Sequence, residues 1–149
     1  MLNSILVYAR NKVRVKGDNS LSIDKTARVR GCFISIQGKN NSLIIKGAAN
    51  IRDTYFEIDG NDCSIVIGEN CRIGDNCYLS SREKCVSITI GNNTSLSRNV
   101  KIMTSDGHNI TQGKRRINPA KSISIGDHVW LADGVAVLKG GGQWAVILL

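Results

Sequence analysis

The sequence is poor in the residues that usually fill a large core or stiffen turns. Its 149 residues include seven aromatic residues and one proline, but 15 glycines. Any core must therefore consist of Ile, Val, Leu and small residues. The turns must depend on glycine or on other residues that tolerate a left-handed backbone. The length is that of one ordinary domain, and we take residues 1–149 as a single domain.

Paired cysteine motifs and long apolar runs are also absent. The number of cysteines is odd and no C-x-x-C pair occurs among Cys32, Cys63, Cys71, Cys77 and Cys85. We therefore expect neither a zinc site nor a disulfide framework, and no bound metal. The only apolar run near the N-terminus, SILVYA, is too short for a signal peptide or a membrane span. These features indicate a reduced, cytoplasmic protein.

The formal net charge is +8, which favours an anionic partner. The densest basic stretch is GKRRINPAK, residues 113–121. It has no interleaved aromatic residues of the kind that stack on bases, so we do not expect nucleic acid to be the partner. The charge fits another polyanion or an anionic small molecule.

A six-residue repeat is the strongest signal in the chain. Six segments share one order of residue types: aliphatic, small, polar, a turn-tolerant residue such as Asn, then small and apolar. They begin at Ile67, Ile73, Ile90, Leu96, Ile125 and Leu131. Six is neither the strand period of two nor the helical period of 3.6. A chain that turns a corner every six residues winds into a triangular prism of about 18 residues per coil, which is a parallel β-helix.

The register of this repeat predicts three faces. We place Ile67, Ile90 and Ile125 on the first face, together with Ile23 and Ile45. The second face contains Ile73, Leu96 and Leu131, and the third contains Leu79, Ile102 and Val137. The corner positions are then Asn70, Asn76, Asn93, Asn99, His128 and Gly134, which are types that tolerate a positive φ.

The spacing between coils locates the insertions. Ile67 and Ile90 are 23 residues apart, which predicts a small bulge at residues 80–84. The 35 residues between Ile90 and Ile125 predict a long loop at about residues 103–119. Residues 1–12 do not fit the repeat and are expected to form a short N-terminal cap. Residues 141–149 are also atypical, as expected of a truncated or frame-shifted end.

The long loop contains the best candidate for chemistry, because extended loops on regular scaffolds often have a function. His108 lies in this loop, and Asp106 is close enough in sequence to orient its ring. His128 falls at a corner and is interpreted as a turn residue. Trp130 takes an outward position, which indicates either a subunit interface or a ligand groove. Cys71 and Cys77 take inward positions and are interpreted as core residues.

Two stretches, TSDGHNI and RINPAKSISIGDHVWLADGVAVLKG, resemble the hexapeptide-repeat acyltransferase superfamily, whose fold is a left-handed β-helix. The resemblance is closest to bacterial O-acetyltransferases of capsular polysaccharide and lipopolysaccharide, including those that act on polysialic acid. It is strong over about residues 65–140.

The resemblance implies acetyl-CoA as the donor and a sugar hydroxyl as the acceptor. It also implies a homotrimer with its sites between neighbouring prisms, acting beside the machinery of capsule or lipopolysaccharide synthesis. The general base of the S-x-x-H segment maps to His108, and the groove tryptophan of D-H-V-W maps to Trp130. We add Asp106, Arg116 and Lys121 to the expected groove. Asp133 and Gly134 are assigned to the acetyl-CoA site.

Two alternatives remain open. One is an acetyltransferase of a small or nucleotide-linked sugar. The other is a non-catalytic, degenerate solenoid, because the sequence after Gly140 departs from the I-G-x-x repeat that supplies much of the acetyl-CoA site in similar proteins.

Overall fold

The computed structural model describes residues 2–140 and 143–144. Helix α1, Leu2–Arg10, precedes three stacks of short parallel strands that form the sides of a triangular prism. The first face contains β2 (Ser20–Ile23), β5 (Ser42–Ile45), β8 (Ser64–Ile67), β11 (Ser87–Ile90), β16 (Ile123–Ile125) and β19 (Gln143–Trp144). The second face contains β3 (Arg28–Arg30), β6 (Asn50–Arg52), β9 (Arg72–Ile73), β12 (Ser95–Leu96) and β17 (Trp130–Leu131). The third face contains β1 (Lys12–Lys16), β4 (Phe33–Lys39), β7 (Tyr55–Asn61), β10 (Tyr78–Lys84), β13 (Lys101–Met103) and β18 (Ala136–Leu138).

The strand register confirms the predicted faces. On the first face Ile23 pairs with Ile45, Ile45 with Ile67, Ile67 with Ile90, and Ile90 with Ile125. The second face aligns Ile73, Leu96 and Leu131, and the third aligns Leu79, Ile102 and Val137. Each aliphatic residue therefore stacks on its counterpart in the next coil, and these side chains form one continuous buried core.

The predicted bulge at residues 80–84 is wrong. Strand β10 continues without interruption through these residues and pairs with β7 over its whole length, from Tyr78↔Tyr55 to Lys84↔Asn61. Strand β7 pairs with β4 in the same way. Extra residues recur at this point in successive coils, so they pair with each other and lengthen the third face without disturbing the register.

The predicted corners are confirmed by their backbone angles. Positive φ values between 55° and 58° occur at Asn70, Asn76, Asn93, Asn99 and His128, and Gly134 has a φ of 77°. Side-chain amides also join corners of successive coils, as in the 2.7 Å hydrogen bond from Asn70 Nδ2 to Asn93 Oδ1. The conformation of His128 thus explains its presence without any catalytic role.

The inward cysteines are part of the core. Cys71 and Cys77 are buried, and each thiol lies 3.0 Å from a carbonyl oxygen of the next coil. Burial raises the pKa of both thiols and raises that of Cys32 to about 11. A raised pKa disfavours the reactive thiolate, so these cysteines are structural.

The prism continues beyond Gly140. Gln143 and Trp144 pair in parallel with Ser124 and Ile125, at the start of a further coil on the first face. The remainder of the atypical segment predicted at residues 141–149 lies outside the described residues. Within the part that is described, no helix is long and apolar enough to cross a membrane.

Candidate functional site

The long loop leaves the prism after Met103, at the end of β13, and returns at Ile123, the start of β16. It contains an antiparallel hairpin, β14 (Thr111–Gln112) and β15 (Arg115–Arg116). The two-residue turn between these strands begins at Gly113, whose φ is 63°. A tight hairpin turn that matches the twist of its strands requires a positive φ at this position, and glycine adopts it readily.

An open cleft of about 390 Å³ lies between this loop and the end of β10. The strand side of the cleft contributes Arg82, Glu83 and Lys84, and the loop side contributes Ser105, His108 and Arg116. His108 and several charged side chains therefore face the same cleft. Two of the three cations already have carboxylate partners: Arg82 lies 3.5 Å from Asp59, and Arg116 lies 2.6 Å from Glu83.

The ring of His108 is exposed and is held in one orientation. Its Nδ1 lies 3.0 Å from the backbone carbonyl oxygen of Asp106. A carbonyl oxygen can only accept, so in the neutral ring this contact places the hydrogen on Nδ1 and leaves Nε2 with a free lone pair. A neutral imidazole with an unprotonated Nε2 beside an open cleft can act as a general base.

The expected role of Asp106 needs a correction. Its carbonyl orients the ring, whereas its carboxylate accepts hydrogen bonds from Lys139 Nζ at 2.5 Å and from Asn118 Nδ2 at 2.9 Å. These hydrogen bonds, first from Lys139 and then from Asn118, lower the pKa of Asp106. The carboxylate thus fastens the loop to the next coil and does not line the cleft.

Arg116 lines this cleft with its guanidinium engaged with Glu83, and its role in ligand binding stays a prediction. Arg116 donates two hydrogen bonds to this carboxylate, of 2.6 and 2.8 Å, and the Ser105 hydroxyl and the Ala120 N–H donate two more. The hydrogen bonds from Arg116 are the main reason that the pKa of Glu83 falls to about 2. One carboxylate therefore binds both ends of the loop.

The remaining predicted residues lie away from this cleft. Lys121 is exposed, and its side chain lies beside Gly140. Trp130 is 37% exposed on the second face and donates from Nε1 to Ser97 Oγ at 2.9 Å. Asp133 pairs with Arg98 at 3.1 Å, and Gly134 forms the adjoining corner. One chain does not bring these four residues together with His108, and their binding roles stay predictions.

Sequence reasoning missed three residues that hold the loop of the candidate site: Glu83, Asn118 and Lys139. Glu83 had a usable signal in the sequence, since it stands where Gly38 and Gly60 stand in the two preceding coils. In the structure its φ is 94°. A non-glycine residue in this region costs about 1–3 kcal/mol and usually has a compensating role. Asn118 and Lys139 gave no comparable signal, because their contacts depend on the path of the loop.

We expect acid to loosen the loop through Glu83. A carboxylate with a lowered pKa stabilises the folded state above its unfolded value of 4.5, and this contribution is lost as the pH falls towards 2. Hydrogen exchange of residues 104–120, corrected for the intrinsic rate, should therefore accelerate over this pH range. Glu83→Gln should accelerate it already at neutral pH and admit trypsin at Lys114 and Arg115.

Glu69→Gln is the matched control for this experiment, because Glu69 is exposed and its side chain has no ion pair among the described residues. Equal trypsin cleavage of the two variants, or loop protection that does not change between pH 5 and pH 2, would contradict the role of Glu83.

Known proteins resemble this chain in part of its sequence and in its fold. No known family profile matches the chain. A polysialic acid O-acetyltransferase of Escherichia coli O1:K1 / APEC is 42% identical over 60 residues, which are 39% of this chain and 19% of that protein. The matched region thus spans about a fifth of the length of this curated relative.

Two solved structures resemble most of the prism. The polySia-specific acetyltransferase NeuO matches 89% of this chain and 71% of its own, with a TM-score of 0.62 and 25% identity. The polysialic acid O-acetyltransferase OatWY matches 87% and 71%, with a TM-score of 0.65 and 26% identity.

The structure is therefore a left-handed parallel β-helix, which confirms the predicted fold. The chain is similar to acetyltransferases of polysialic acid in this fold and over part of its sequence.

Proposed function

We propose that this protein is an O-acetyltransferase that moves an acetyl group from acetyl-CoA to a hydroxyl of a bacterial surface glycan. The observation that carries the proposal is the His108 ring, with its hydrogen held on Nδ1 and its Nε2 free beside an open cleft. The relation to O-acetyltransferases of polysialic acid supports the reaction class and a glycan acceptor.

The mechanism follows from the poor nucleophilicity of a sugar hydroxyl at neutral pH. Nε2 of His108 removes the hydroxyl proton as the oxygen attacks the thioester carbonyl carbon of acetyl-CoA. The tetrahedral intermediate collapses, the C–S bond breaks, and the departing thiolate takes the proton from the imidazolium. The products are an acetyl ester and free CoA, and the imidazole returns to its starting state.

Electrostatics favour an acceptor with a negative charge. Among the described cations that line the cleft, Lys84 is exposed and forms no ion pair, whereas Arg82 and Arg116 each have a carboxylate partner. The net charge of +8 also favours acetyl-CoA, which carries several phosphate charges.

We further propose a homotrimer that completes the site. His108 follows a strand of the third face, while Trp130 lies on the second face and does not line the cleft of its own chain. The tryptophan of a neighbouring prism can reach that cleft only when copies associate side by side. This arrangement would account for an outward, 37% exposed tryptophan.

The test is acetyl transfer from radiolabelled acetyl-CoA by the intact chain, beside light scattering for the oligomeric state. Acceptors are a polysialic acid, a neutral polysaccharide and a nucleotide-linked amino sugar. Label in the acidic polysaccharide supports the proposal, and label only in the nucleotide sugar replaces it with the small-sugar alternative. Absence of both transfer and calorimetric binding at millimolar acetyl-CoA would establish the non-catalytic solenoid instead.

A further inference from the structure

Asn118 is a buried polar side chain of the long loop whose hydrogen-bonding capacity is fully used. It is 7% exposed, and its amide makes four hydrogen bonds. Its Oδ1 accepts from the Ile110 N–H at 2.6 Å and from Arg116 Nε at 3.3 Å. Its Nδ2 donates to the Asp106 carboxylate at 2.9 Å and to the His108 carbonyl at 2.8 Å. The amide can take only one orientation here, because an N–H only donates and a carbonyl only accepts.

These contacts bracket the turn that carries the His108 ring. The carbonyl of Asp106 receives the Nδ1 hydrogen, and Asn118 binds the residues on both sides of that contact, at the Asp106 side chain and at the His108 backbone. The turn itself contains Gly107, whose φ is 78°. An added Cβ at Gly107 would meet no atom within 4 Å. Packing therefore does not hold Gly107 itself, and hydrogen bonds contribute to holding the turn, including the 3.1 Å bond that the Gly107 N–H donates to Ser105 Oγ.

We infer that Asn118 is a positioning residue for His108. Asn118 holds the 106–108 turn so that Nδ1 of His108 donates its hydrogen to the Asp106 carbonyl and Nε2 faces the cleft unprotonated. Its catalytic consequence rests on the proposed function, whereas its effect on the ring does not. A general base acts only when its lone pair is aligned with the proton that it removes, and small misplacements cost large factors in rate.

Lys139 supports the same arrangement from the next coil. Its Nζ lies 2.5 Å from the Asp106 carboxylate and 3.0 Å from the backbone carbonyl oxygen of Asn118. The side-chain amide of Asn118 and the ammonium of Lys139 thus approach one carboxylate together. Of these two side chains, only that of Asn118 also contacts His108. Removal of the Asn118 amide should therefore affect the ring more directly than removal of the Lys139 ammonium.

The test reads the ring itself. The chain contains only two histidines, so a protein with ¹⁵N-labelled histidine gives two sets of ring signals, and His128→Asn assigns them. The nitrogen shifts of a neutral imidazole report its tautomer. We expect His108 of the unchanged protein to be the Nδ1–H form and Asn118→Ala to show a mixture of both tautomers. We also expect kcat to fall about 10–100-fold while the KM for acetyl-CoA changes less than about threefold.

Asn11→Ala is the matched control. Asn11 is also buried, accepts from the Cys32 N–H at 2.9 Å and donates to the carbonyls of Val7 and Val29. It lies beside β1, four strands from β13 on the third face. Its loss should lower stability without changing the His108 spectrum or kcat.

Asn118→Asp separates hydrogen bonding from space filling, and it replaces the alanine variant if that fails to fold. Aspartate keeps the shape but cannot donate when ionised, and it would face the Asp106 carboxylate. We expect the same mixture of tautomers. An unchanged His108 spectrum in the folded variants overturns the inference. A tautomer shift in a protein that acetylates nothing sustains the inference and refutes the proposed function.

Discussion

His108→Asn is expected to lower kcat about 10²–10⁴-fold, which is the usual contribution of a positioned general base. Asparagine has no lone pair of suitable basicity at the position of Nε2, so the acceptor hydroxyl would have to attack while still protonated. Acetyl-CoA should bind nearly as before, because the imidazole acts on the acceptor proton. The measurement is steady-state kinetics with the acceptor identified by the acetyl-transfer assay.

His128→Asn is a matched control within the same chain. His128 lies at a corner with a φ of 56°, and the equivalent corners of earlier coils are Asn70 and Asn93 with φ of 55°. Asparagine tolerates this conformation well, so this variant should retain activity and stability. Full activity of His108→Asn, or an equal loss in both variants, would contradict the assignment of the base to His108.

Gly38→Ala is expected to cause the largest loss of stability, about 2–5 kcal/mol in the free energy of unfolding. Gly38 has a φ of 105°, and an added Cβ would overlap the carbonyl oxygen of Gly60 in the next coil. Neither atom can move easily, because both belong to paired strands of the third face. Urea denaturation followed by circular dichroism measures the loss.

Gly113→Ala isolates the steric part of this effect. Gly113 also has a positive φ, of 63°, but an added Cβ there would meet no atom within 4 Å. Its substitution should therefore cost only the backbone strain. Equal losses of unfolding free energy in the two alanine variants would contradict the prediction that the close approach of successive coils at Gly38 destabilises the Gly38→Ala variant.

The loop that carries His108 is held by more contacts than is usual for an exposed loop. Glu83 joins the beginning and the end of the loop through Ser105, Arg116 and Ala120, while the Asp106 carboxylate joins it to the next coil through Lys139. Asn118 connects these two groups of contacts through Arg116 and Asp106. The loop is therefore held at several points before any ligand binds, which lowers the cost of arranging the base for reaction.

The sequence by itself determined the prism and the location of the insertion. The six-residue repeat assigned each aliphatic residue to a face and each turn-tolerant residue to a corner, because inward packing and a positive φ at the corners select residue types locally. That register also separated the two histidines, with His128 at a corner and His108 in the long loop.

Tertiary structure decided how His108 is held. Several pairs of residues that hold its loop are 22 or more positions apart, as for Ser105 with Glu83 and Arg116 with Glu83. No repeat or motif encodes such contacts, because they depend on where an irregular loop meets the end of a strand. The same reason explains why the Asp106 carboxylate was expected at the ring: proximity in sequence favoured the side chain, whereas the fold presents the carbonyl to Nδ1 and directs the carboxylate to Lys139.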